Sequence, residues 1–267
     1  MTSKINIKDA PILEFDTDDS SESMVDFFNN GKRGFEDFDK IKEMGIDKCV
    51  IFLPRSFEKC EEIYKKCVKI HDFKAASTIS PVYLYDNKIL IAKCPLGGPA
   101  AANLMEELSY NGIKHFIACG SCGCINQEID FENDFFIPTS AIRDEGVSYH
   151  YMPASRTVET SKIVNNALIN SLKKMKQPYT EGITWTIDAM YRETPNRTSR
   201  RKSEGALGVE MECASFAAVA KHNKVNFGSL LYFTDLVGSK EWNWRIYDKV
   251  KLRVLLLQIC IDAILSL

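Results

Sequence analysis

Six short apolar runs constrain this chain more than any other feature of it: KCVIFLP (48–54), KILIAKC (88–94), IKHFIACG (113–120), DFFIPTSA (134–141), GITWTIDA (182–189) and VNFGSLLYFTD (225–235). Runs this apolar do not suit a strand with one wet face, so they call for a sheet covered on both sides. The cover is written between them. FEKCEEIYKKCVKI (57–70), PAAANLMEELSYNG (99–112), SKIVNNALINSLKKMK (161–176) and the C-terminal VKLRVLLLQICIDAILSL carry apolar residues at helical spacing. The second opens on proline and closes on glycine, as helices do. Alternation of this kind predicts an α/β fold, a central mixed sheet flanked by helices in one domain over residues 41–267. Residues 1–40, acidic and aromatic by turns (EFDTDDSSESMVDFF, GFEDFDK), are expected to form an arm on the domain or on a neighbouring subunit.

Several function classes drop out. A net charge of -2 leaves no basic footprint for nucleic acid. Lys251, Arg253 and Asp262 interrupt the last apolar tract, while Leu252, Leu255, Leu256, Cys260, Ile261 and Ile264 keep helical spacing, so an amphipathic helix is predicted and not a membrane span. The N-terminal MTSKINIKDAPILEF lacks a hydrophobic segment and a small-residue cleavage site, which points to the cytoplasm. Nine cysteines, an odd and scattered set, fit reduced thiols. Cys119, Cys122 and Cys124 form the one cluster; without a second Cys or His pair at ligand spacing it reads as buried thiols at a strand-to-loop turn and not as a metal centre.

In sheets of this class ligands bind beyond the carboxyl ends of the strands. The chemistry-capable groups there are Pro95-Leu96-Gly97-Gly98-Pro99, Gly120-Ser121-Cys122-Gly123, Thr186-Ile187-Asp188 and Thr234-Asp235. To these is added Glu210-Met211-Glu212, two carboxylates at the mouth of an apolar helix.

Four stretches, LGGPAAANLMEEL, GIKHFIACGSCGCI, GVEMECASFAAVA and LLYFTDL, resemble in order and spacing successive signatures of the nucleoside phosphorylase superfamily, in its purine nucleoside and uridine phosphorylase branch. The likeness runs from about residue 48 onward, and IPTSAIRDEGVSYHYMP and TIDAMYRET resemble further stretches of that group. It implies an enzyme that cleaves the N-glycosidic bond of a nucleoside with phosphate as co-substrate, giving free base and ribose 1-phosphate, with no metal or organic cofactor. It also implies a homodimer or homohexamer. Two rival readings are a nucleosidase that uses water and a nucleoside-binding protein without turnover.

The resemblance assigns roles residue by residue. One carboxylate can accept from both hydroxyls of a ribose diol, and that position falls to Glu212, with Met211 packed on the sugar and Glu210 behind it or toward the base. Asp235, after Thr234, matches the acid that assists departure of a purine at N7, which uridine phosphorylases lack. Thr194 and Asn196 stand where those enzymes read uracil with Gln and Arg, so a purine base is expected. Trp185, Met190 and Tyr191 are candidates for an apolar floor under the base, or for core. Gly120 and Ser121 line the same end.

The phosphate residues are depleted. Phe52-Leu53-Pro54-Arg55-Ser56 replaces the family's G-D-P-x-R turn, Ala118 replaces an arginine, Ala75-Ala76-Ser77-Thr78 has none, and none of the four histidines stands where the family contacts the 5'-hydroxyl. Arg55 and Ser121 remain as phosphate candidates, with Arg143, Arg197 and Arg245 as substitutes. Glu58 lies one position from where hydrolytic relatives place a water-activating glutamate.

Overall fold

A computed structural model describes residue 12 and residues 41–55, 57–75, 78–126, 129, 135–237, 243–244 and 249–267. The expected arm over 1–40 lies outside the described residues, apart from Ile12. The chain enters the sheet at β1 (Lys48–Phe52), passes a 3-10 turn (Phe57–Lys59) and the one-turn helix α1 (Glu61–Tyr64), then makes a hairpin of β2 (Cys67–Ala75) and β3 (Thr78–Tyr85). Next come β4 (Ile89–Lys93), α2 (Gly98–Tyr110), β5 (His115–Cys124), β6 (Phe135–Asp144), β7 (Thr157–Glu159), α3 (Lys162–Lys174) and β8 (Tyr179–Ile187). The last elements are α4 (Pro195–Ser203), β9 (Ala206–Glu210), α5 (Cys213–His222), β10 (Asn226–Leu236), β11 (Asn243–Trp244) and α6 (Lys249–Leu265).

The strands pair in the order β11-β10-β6-β8-β9-β5-β1-β4-β3-β2, and β10 also pairs with β5. That extra ladder closes β5, β10, β6, β8 and β9 into a ring, from which β1, β4, β3 and β2 extend as an open sheet. Along β5 the period of two is visible: Phe116 and Ala118 enter the core with Leu104, Met105 and Phe216, while Ile117 and Cys119 enter the one with Leu168, Leu257 and Ile264. Helices α2 and α5 thus cover one face, and α3 and α6 the other. Each large aliphatic or aromatic side chain buried this way stabilises the fold by about 1.5 to 3 kcal/mol.

The ring encloses a small cluster of its own: Cys122, Cys124, Phe136, Leu231 and Phe233, with the two phenyl rings stacked at 5.4 Å. A ring of five strands has little room inside, and thiols beside two phenyls fill it. β5 therefore continues through Cys124, where a strand-to-loop turn was expected. The predicted helix over 57–70 is also replaced, by one helical turn and the start of β2. Its apolar residues at helical spacing serve a strand instead, because Cys67–Ala75 finds β3 as an antiparallel partner. No helix among the described residues is long and apolar enough to cross a membrane.

Helix α2 meets α5 at Gly98, where a Cβ would lie 2.5 Å from Ser215 Oγ and 3.2 Å from Val147 Cγ2. Ser215 cannot swing away freely, since its hydroxyl donates to Glu145 Oε2 at 2.9 Å. Gly98→Ala is therefore expected to destabilise the protein by about 1 to 3 kcal/mol through overpacking, against a helix-propensity gain of at most about 1 kcal/mol. Urea denaturation measures the difference; a variant as stable as the parent would show that the two helices are free to part.

Candidate functional site

Glu210 ends β9 and ties the start of α5 to β8. Its Oε2 accepts the backbone N–H groups of Glu212 at 2.8 Å and Cys213 at 2.6 Å, and its Oε1 accepts the Thr186 hydroxyl at 2.5 Å. Thr186 in turn accepts the N–H of Ala214 at 3.0 Å. Helix-start donors that would otherwise be orphaned thus end on one buried carboxylate and one hydroxyl. Burial, followed by the charge of Glu212, pushes the Glu210 carboxyl up to about 7. With both oxygens engaged inside the protein, Glu210 shapes the turn that presents its neighbours.

Glu212 points the other way. Its Oε1 accepts the N–H of Gly97 at 2.7 Å, across the turn between β4 and α2. Gly97 holds φ +96, a left-handed conformation that favours glycine, and this aims its N–H at the carboxylate. The second Glu212 oxygen accepts no side-chain hydrogen bond among the described residues. Burial raises this carboxyl, and the Gly97 N–H counteracts part of the rise. Met211, half-buried, stands between the two acids.

Asp235 occupies the end of β10. Thr234 Oγ1 lies 2.6 Å from Asp235 Oδ1 and 3.1 Å from the Cys122 carbonyl, so its one proton serves either. Gly123 of β5 sits between Asp235 and β9: a Cβ there would meet Val209 Cγ1 at 3.1 Å and Asp235 Oδ1 at 3.8 Å. Gly123 pairs with Val209 of β9, and Cys122 and Cys124 pair with Phe233 and Leu236 of β10, which brings the ends of β9 and β10 to one place. Glu193, which follows the 3-10 turn Met190–Arg192 beyond β8, is within reach of the Asp235 charge. Nothing in the sequence marked it.

The turn after β1 lies beside Gly120 and Ser121, the latter exposed. Leu53 presses on Gly120, where a Cβ would come within 2.9 Å of Leu53 Cδ1. Lys93 donates to the Pro54 carbonyl and lies 4.8 Å from the Phe52 ring centroid, and Arg253 Nη1 reaches the Arg55 carbonyl at 3.4 Å. Burial lowers the Lys93 ammonium from its ordinary range. The Arg55 side chain is exposed.

The substitute arginines are engaged elsewhere. Arg143 donates to Ser148 Oγ, the carbonyls of Met152 and Pro153, and Ser155 Oγ, at 2.7 to 3.2 Å. Arg197 pairs with Asp144 at 3.7 Å, and Arg245 lies outside the described residues. Trp185 is fully buried and its indole donates to Asp144 at 3.0 Å, so it belongs to the core, the second of the two roles left open for it. Met190 and Tyr191 are 48% and 93% exposed and present apolar surface at the rim.

The Glu210 cage makes a prediction about pH. A carboxyl raised from 4.5 to about 7 binds its proton more tightly in the folded chain, so its contribution is full below about 4.5 and is lost as pH rises through about 7. Glu210→Gln, which keeps an acceptor for the amides, is expected to remove that part of the slope of stability between pH 5 and 7. Glu210→Ala, which also orphans the amides, is expected to cost about 2 to 4 kcal/mol near pH 5 and less as pH rises through 7. Thermal midpoints across that range decide; an unchanged slope in the Gln variant would assign it to other groups.

Comparison with known proteins adds to the geometry. The Phosphorylase superfamily model matches residues 52–266. Guanosine phosphorylase of Halorubrum lacusprofundi is 26% identical over 147 residues, 55% of this chain and 61% of that protein. Uridine phosphorylase of Haemophilus influenzae is 31% identical over 110 residues, 41% and 43% of the two chains. The aligned part thus spans less than two thirds of these curated relatives. Among solved structures, AMP nucleosidase from Bacteroides thetaiotaomicron superposes with a TM-score of 0.65 at 22% identity, over 80% of this chain and 86% of that one. Futalosine hydrolase of Helicobacter pylori gives 0.65 at 19%, over 81% and 98%. These likenesses carry the fold, and the family match across most of the described sheet and helices carries the membership: the chain belongs to the phosphorylase superfamily.

Proposed function

We propose that this chain cleaves the N-glycosidic bond of a purine nucleoside. The observation that carries the reading is Glu212, a buried carboxylate anchored through one oxygen by the Gly97 N–H and presented beside Met211 at the convergent ends of the strands. The anchored carboxylate accepts from the ribose 2'- and 3'-hydroxyls and, being an anion, favours the cationic sugar of the transition state over the neutral ground state. Asp235 delivers a proton to N7 as the C1'–N9 electron pair moves onto the base, which then leaves neutral.

For the nucleophile, the turn after β1 favours water. A phosphate dianion needs guanidinium or amide donors aimed at it. Here Lys93 and Arg253 hold the carbonyls of Pro54 and Arg55, and Leu53 covers Gly120. Phosphorolysis is the second reading, supported by Arg55 in that turn and by curated relatives named as phosphorylases. In the favoured reading water oxygen bonds to C1' and the sugar leaves as free ribose.

Rates measured against phosphate concentration, with the sugar product identified, separate the two. We expect free ribose and no phosphate requirement; if phosphate does bind, the lost charge-assisted bonds, each about 1.5 to 3 kcal/mol, place saturation roughly two decades above that of an enzyme that has them. Tight saturation with ribose 1-phosphate as the sole sugar product would refute hydrolysis. Glu212→Gln, which keeps an acceptor for the Gly97 N–H, is expected to weaken ribonucleoside binding by at least about tenfold and to leave the thermal midpoint close to that of the parent. Unchanged affinity in a folded variant would remove Glu212 from the sugar.

A further inference from the structure

Glu145 is a buried acid that the chemistry above does not use. It stands in the loop after β6, and its hydrogen bonds all run inward: Oε2 accepts the Ser148 N–H at 3.0 Å and the Ser215 hydroxyl at 2.9 Å, and Oε1 accepts the Ser148 hydroxyl. The loop that carries it is pinned at several points. Arg143 Nε donates to Ser148 Oγ at 2.8 Å, while its terminal nitrogens hold the carbonyls of Met152 and Pro153. The Gly146 N–H donates to Asp188 Oδ2 at 2.8 Å, and the Tyr149 hydroxyl to the Arg143 carbonyl at 2.9 Å. Glu145 is therefore a fixed acceptor, and the bond it makes outside its own loop goes to Ser215.

Ser215 lies on the first turn of α5, three residues after Glu212. Both meet the start of α2, in two adjacent contacts. Glu212 Oε1 accepts the Gly97 N–H at 2.7 Å, and Ser215 Oγ stands so near Gly98 that a Cβ there would lie 2.5 Å from it. Val147, from the same loop as Glu145, would lie 3.2 Å from that Cβ and closes the joint. A single hydrogen bond leaves a helix start free to pivot about it. A second contact one residue along removes that freedom, and it holds only while Ser215 keeps its place.

We propose that Glu145 is a positioning residue for the sugar carboxylate: by seating Ser215 against Gly98, it fixes the angle at which Glu212 meets the ribose diol. The inference rests on the reading of Glu212 as the sugar clamp and extends it to a residue that touches no substrate. A carboxylate that accepts from two hydroxyls at once is demanding in direction, since both bonds must form together. A small rotation of α5 would keep the Gly97 bond and lose one of the two to the sugar.

The test compares kcat/KM for adenosine with that for 2',3'-dideoxyadenosine in the parent, in Glu145→Asp, in Ser215→Ala, in the double variant and in Glu212→Gln as the reference. The dideoxy sugar offers Glu212 no hydroxyl, and the intrinsic reactivities of the two sugars cancel when their ratio is compared between parent and variant. Glu145→Asp is shorter by one methylene and keeps its place in the loop but not its reach to Ser215. It is expected to lower the ratio about tenfold, in the same direction as Glu212→Gln. Ser215→Ala is expected to do likewise, and the double variant to go no further than the larger single change, because the two act along one path. A merely structural role for Glu145 would lower both substrates together and leave their ratio alone. Should Glu145→Asp fail to fold, Ser215→Ala carries the same ratio test. A ratio that moves in Glu212→Gln and stays put in the folded variant overturns the proposal and leaves the sugar clamp standing. A ratio unmoved in Glu212→Gln, or a parent that cleaves neither nucleoside, overturns both.

Discussion

The pairing of β5 on both of its edges is the constraint on which the rest depends. One edge joins β1 over Lys48–Phe52 and then, past Gly120, joins β9 at Gly123 and Cys124; the other follows β10 almost throughout. A strand that changes partner along one edge must twist away from the open sheet, and small residues permit it. The HFIACGSCGC sequence supplies them, large where the helices cover both faces and small where the ring closes. Because β5 crosses between β9 and β10 at Gly123, Val209 of β9 and Asp235 of β10 stand on either side of it. The site is a product of that crossing.

What meets there is mostly negative. Glu210, Glu212, Asp235 and Glu193 gather at one end of the sheet, while Arg143, Arg197, Arg201 and Arg253 are committed to carbonyls, hydroxyls or Asp144. Concentrated carboxylates lose solvation, and the raised Glu210, Glu212 and Glu193 carboxyls record that loss. The arrangement suits a reaction in which positive charge develops on a sugar, since fixed anions need no reorganisation as it forms. It suits an incoming dianion poorly.

Much of this fold could be read from the chain, for reasons that differ by element. β1, β4 and the first half of β5 are apolar because helices cover both of their faces, β6 and β10 because one face meets helices while the other lines the ring, and α2, α3 and α6 are amphipathic because they provide that cover. The stretch from Phe57 to Ile70 misled because one-turn helix and edge strand share its apolar spacing, and only the pairing with β3 separates them. β9 was invisible as a strand: five residues, with a two-residue ladder to β5 that no local pattern encodes. At the site, the resemblance pointed to Glu212 and Asp235. The Gly97 amide bond to Glu212 and the clamp of Lys93 on Pro54 join residues far apart in the chain, and exist only once the fold has formed.

The free thiols make the fold its own recorder. Eight of the nine cysteines are buried, and burial lifts those of Cys94, Cys122, Cys213 and Cys260 well above the ordinary thiol range. A thiol that is both covered and protonated is inert to alkylating reagents until the structure around it opens, so the rate of alkylation measures the frequency of opening. Cys122 lies inside the strand ring and Cys260 on α6 behind the sheet. Mass-resolved labelling of the two would time the breathing of the ring and the lifting of the last helix independently, within one unmodified molecule.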